Sequence, residues 1–90
     1  MSTEPQAVAA PPIDVVVSEV FTTLAFAAHA YLSGSGEEDS NADLAGAEVA
    51  IDLAGRAFER VEPRLSTQER AAMASMLTDL RMSYVKKRGR

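Results

Sequence analysis

Cysteine and tryptophan are absent from this 90-residue chain, no Lys or Arg occurs before Arg56, and His29 is the only histidine. Without cysteine there are no disulfides and no thiolate metal sites, which fits a reducing cytoplasm. A lone histidine has no metal-ligand spacing, and with only Ser33 near it there is no nucleophile–base arrangement. No strand is evident and no Gly-rich loop follows one, so nucleotide-binding loops are excluded. The acidic run Glu37-Glu38-Asp39 lacks the alternating register and closing Glu of a calcium loop. No pair of titratable groups is spaced for acid–base work. The expectation is a protein that is not an enzyme and needs no cofactor and no metal.

What is present is a division of charge. Residues 1–55 hold nine acids and no base, a charge of −9, while residues 56–90 hold all nine bases against four acids, a charge of +5, which makes the net −4. Parts charged so differently attract each other, within one chain or between neighbours, and point to a salt-sensitive assembly rather than to a reaction.

The chain divides into an N-terminal tail (1–13), a helical domain (14–85) and a basic C-terminal tail (86–90). The tail holds three prolines at positions 5, 11 and 12 and little that could be buried, so it is expected to be disordered. The first helix is expected over 15–32, capped by Asp14. Val17, Phe21, Leu24, Ala28 and Tyr31 form one seam, and Val16, Val20, Ala27 and Ala30 lie beside it. A helix apolar over that width exceeds what a monomer's surface helix requires. Glu19, His29, Ser18, Thr22 and Thr23 argue against a membrane span. A signal peptide is not expected either, because no Lys or Arg precedes the apolar run and Glu19 interrupts it.

Residues 33–41 read as a flexible acidic loop. The second helix follows over 42–61, capped by Asn41, with the seam Ala47, Ile51, Ala54, Phe58 and Val61. Gly46, Ala50, Ala54 and Ala57 add a ridge of small side chains that lets another helix come close. Pro63 ends this helix. Ser66-Thr67-Gln68-Glu69 is a capping box, and the third helix runs over 67–85 with the seam Met73, Leu77, Leu80 and Tyr84. The short link makes the second and third helices antiparallel neighbours. The fold expected is all-α: an antiparallel hairpin, with a hydrophobic first helix packed across it, in a dimeric helical bundle.

Ala50-Ile51-Asp52-Leu53, Leu65-Ser66-Thr67-Gln68-Glu69 and Leu80-Arg81-Met82-Ser83-Tyr84-Val85 together resemble the bacterial family catalogued as domain of unknown function 1844. The similarity covers roughly residues 15–85. The chain departs from that pattern at Glu62-Pro63-Arg64, where the family has a Lys-Thr-Gly-Asn-like turn, and at Ser66, where it has Thr. The resemblance implies a small bacterial helical protein and carries no catalytic residue over.

The candidate interaction residues follow from these patterns. Val16, Val20, Phe21 and Leu24 belong to the wide apolar face of the first helix, which a second copy or another protein would cover. Asp52 and Arg81 are the charged members of the family-like strings; they either meet a partner or form ion pairs, Asp52 with Arg56 and Arg81 with Glu48. Met73, Met76 and Met82 with Tyr84 form either an adaptable surface or core. Lys86, Lys87 and Arg88 can contact phosphates. A cytoplasmic homodimer that binds another protein is therefore expected, with a nucleic-acid or ribosome-associated factor as the alternative.

Overall fold

The computed structural model describes residues 9–33 and 43–89. Three α-helices account for almost all of them: α1 (Ile13–Ser33), α2 (Leu44–Val61) and α3 (Thr67–Arg88), with a short 3-10 turn over Glu62–Arg64 between the last two. No strand occurs among the described residues. The fold is all-α, as the periodicity predicts. Most of the N-terminal tail, and all of the acidic loop but Ser33, lie outside the described residues.

Helix α1 begins two residues earlier than expected. The Pro12 carbonyl accepts from the amides of Val15 and Val16 at 3.1 and 3.2 Å. Asp14 is therefore a first-turn residue and not the cap, although its charge still favours the positive end of the helix. The polar side chains on α1 satisfy themselves locally. Thr22 and Thr23 donate to the carbonyls of Ser18 and Glu19, and Ser33 donates to that of His29.

The expected cap of α2, Asn41, lies outside the described residues. Asp43 takes that role, its Oδ1 accepting from the Gly46 amide at 2.8 Å. The Asp43 amide donates to the Tyr31 carbonyl at 2.9 Å, which ties the start of α2 to the end of α1. At Pro63 the α-helical ladder gives way to the 3-10 turn, because proline lacks the amide. The capping box of α3 is formed. Ser66 Oγ accepts from the Glu69 amide at 3.0 Å, and Glu69 Oε1 accepts from the Ser66 amide at 2.9 Å. Helix α3 then continues to Arg88. Lys86, Lys87 and Arg88, expected in a tail, form its last turn instead. Nothing before Gly89 interrupts the helix, and cations suit its negative end.

The core consists of Phe21, Ala25, Ala28 and Leu32 of α1, Ala47, Ala50, Ile51 and Ala54 of α2, and Leu77 and Leu80 of α3. Phe21 and Phe58 meet in a tilted pair with centroids 6.5 Å apart. Alanines predominate where α1 meets α2, so these two helices approach closely and share the most extensive interface. The seams of α2 and α3 turn inward as expected. That of α1 differs: Phe21 and Ala28 are buried, but their companions are Ala25 and Leu32, while Leu24 is half-buried and Tyr31 is 39% exposed. Two adjoining stripes of α1 are apolar, and close packing on the small residues of α2 selects the one that contains Ala25.

Helix α3 lies along one side of the α1–α2 pair. Its first turn shares a cleft with Asp14, Ser18 and Thr22 of α1, its middle one with Phe26 and His29, and its second half faces Ile51, Asp52 and Gly55 of α2. No described element covers the other side of the pair.

Candidate interaction site

Helix α3 comes close to α2 at Gly55. A Cβ built on this buried glycine would stand 2.6 Å from a guanidinium nitrogen of Arg81. Arg81 thus crosses α2 where α2 has no side chain. A symmetric turn near residue 64 predicts that Arg81 lies level with residue 47 and pairs with Glu48. The structure places it about two helical turns further along, because the first turns of α3 extend past the end of α2 and pack beside α1. Glu48 instead accepts a long hydrogen bond, 3.4 Å, from the Tyr84 hydroxyl. The Arg81 guanidinium makes no hydrogen bond or ion pair with a described residue. The other predicted pair is present: Arg56 Nε donates to Asp52 Oδ2 at 3.1 Å, with both side chains more than half exposed.

Glu48, Val49, Ile51 and Asp52 of α2 and Arg81, Tyr84 and Val85 of α3 enclose an open groove of about 420 Å³. Its lining combines Val49, Ile51 and Val85 with two carboxylates, a guanidinium and a phenol. Ile51 and Asp52 from one of the strings that carry the family resemblance, and Arg81, Tyr84 and Val85 from another, meet in this groove although some thirty residues separate them. A family model spans both. Residues 14–86 match the model described as Domain of unknown function (DUF1844). The chain belongs to the DUF1844 family. No curated protein and no solved structure matches it.

The remaining candidate residues of this DUF1844 chain fall in three places. Phe21 is 1% exposed in the core and cannot meet a partner without unfolding, whereas Val16 and Leu24 are half-buried and Val20 is 47% exposed. Lys86, Lys87 and Arg88 form the end of α3, where the Arg88 guanidinium lies 5.6 Å from the centre of the Tyr84 ring. Of the methionines, Met73 is half-buried against the core, while Met76 and Met82 are 40% and 65% exposed. His29 is exposed, beside a cleft it shares with Phe26, Met76 and Asp79. No group of three or more metal-ligating side chains occurs among the described residues.

Sequence reasoning missed Gly55 as the seat of Arg81. The signal was available. A glycine inside a helix costs about 1 kcal/mol relative to alanine, and one retained mid-helix marks a close approach.

Proposed function

We propose that this DUF1844 chain is a non-catalytic interaction protein of the cytoplasm that works as a homodimer and offers the α2–α3 groove to another protein. The carrying observation is the apolar side of the α1–α2 pair opposite α3. Ile13, Val20, Tyr31 and Leu53 are 49%, 47%, 39% and 46% exposed, and helix periodicity turns all four away from α3. Contiguous apolar surface rimmed by polar residues marks an interaction site. Helix α1 is long and apolar enough to cross a membrane by length and composition, a test that core helices of soluble proteins also pass. Its Asp14, Glu19 and His29, and its packed stripe, favour a protein partner over lipid.

Light scattering on the purified chain at low and high salt tests the reading. A mass near twice the 9.6 kDa of one chain supports it. A monomer at every concentration, or binding of the chain to lipid vesicles through α1, overturns it.

A second reading, contact with nucleic acid or the ribosome, draws on the basic last turn of α3, where Lys86, Lys87 and Arg88 are held on a helix. Truncation after Val85 should then abolish co-sedimentation with RNA or ribosomes, and unchanged sedimentation removes this reading.

A further inference from the structure

We infer that two copies of this chain pair through an antiparallel seam of α1 formed by Ile13, Val17, Val20, Leu24, Ala27 and Tyr31. The inference rests on the self-association proposed above, and adds which face meets and in which direction.

The six residues recur at spacings of 4, 3, 4, 3 and 4, and none is polar except for the Tyr hydroxyl. That is the pattern of a coiled-coil seam. It is not the buried stripe of the monomer, which is Phe21, Ala25, Ala28 and Leu32, although Leu24 also packs against that core on one side. Successive residues of a helix stand about 100° apart, so Val20 points roughly a quarter-turn away from Phe21. The direction of that turn is fixed by α3, which shares its clefts with Ser18, Thr22, Phe26 and His29 on the other flank of α1. The heptad seam therefore faces away from α3. Leu53 of α2, with the small Gly46 and Ala57 beside it, lies on the same open side by the same periodicity, since Ile51, Asp52 and Gly55 are the residues turned toward α3.

The dimensions suit a second copy. From Ile13 to Tyr31 the seam is about 27 Å long at 1.5 Å per residue, and two helices side by side are about 18 Å wide. An identical face opposite would bury on the order of 1,000 Å² in total, the lower bound of specific interfaces.

Charge fixes the direction. Helix α1 carries Asp14 and Glu19 in its first half and no basic residue. Parallel pairing would gather four carboxylates at one end with no cation on either helix. Antiparallel pairing moves the two Asp14 about 24 Å and the two Glu19 about 9 Å apart along the axis, and it opposes the helix dipoles. It sets Val20 against Leu24 of the second copy, Val17 against Ala27, and Ile13 against Tyr31. Both α3 helices, and both Arg81 grooves, then remain on the outside of a four-helix centre.

The absence of native cysteine makes the test direct. Val17→Cys and Ala27→Cys are produced separately and co-expressed, then oxidised mildly. In the antiparallel dimer the co-expressed pair cross-links, while either variant alone does not, because like positions are then about 15 Å apart, beyond disulfide reach. Cross-linking of Val17→Cys alone overturns the antiparallel arrangement. A dimeric mass with no cross-link in any sample overturns this face and leaves self-association standing. A monomeric mass overturns both. Val20→Asp supplies an independent readout: helical circular dichroism retained and dimer lost supports the seam, and a persisting dimer overturns it.

Discussion

Gly55 and Arg81 meet where α3 crosses α2. Alanine at position 55 would regain about 1 kcal/mol of helix propensity, while its Cβ would displace the guanidinium that now stands 2.6 Å from that position. The displaced atom is the end of a flexible side chain, so it can swing out at little cost. Gly55→Ala is therefore expected to raise the melting temperature by a few degrees and to weaken any partner that uses Arg81. A lower melting temperature would show that the neighbours of Arg81 do not yield. The Asp52–Arg56 pair is the opposite case. Both side chains are more than half exposed, and Arg56→Ala should cost no more than about 0.5 kcal/mol by chemical denaturation.

Among the elements, α3 depends most on its ends. It buries only Leu77 and Leu80, so its capping box carries an unusual share of its stability. Ser66→Ala should cost about 1 kcal/mol and lower the melting temperature by roughly 4–8 °C in a chain of this size; an unchanged melt would mean that α3 is held by packing alone. In α1 the contrast lies between two phenylalanines. Phe21 is 1% exposed and Phe26 is 70% exposed. Phe21→Ala should cost about 3–5 kcal/mol, enough to leave much of the population unfolded, whereas Phe26→Ala should stay within about 0.5 kcal/mol. Thermal melts of the two variants, side by side, check both. The stop of α2 at Pro63 and the start of α3 at Ser66 were legible because both signals are local and chemical. The extension of α3 through Lys86, Lys87 and Arg88 was legible too, since no breaker precedes Gly89, but the cluster of cations reads equally as a tail.

In the whole molecule, the charge division is met in part within one chain, since Arg81 sits in a groove whose rim carries Glu48 and Asp52. The proposed dimer seam is apolar, so its mass should persist at high salt; dissociation at high salt would assign the assembly to acid–base attraction between copies. The number of helices, the capping box, the inward faces of α2 and α3 and the family were all determined by the sequence alone, because each is written in spacings of three and four residues along one stretch of chain. The stripe of α1 that turned inward, and the residue of α2 that Arg81 crosses, were decided only by the tertiary structure. Two stripes of α1 are almost equally apolar, so hydrophobicity does not choose between them, and steric fit to the alanines of α2 does. Likewise the register of α3 follows from where its first turns find room beside α1, a contact between segments some fifty residues apart that no local pattern encodes.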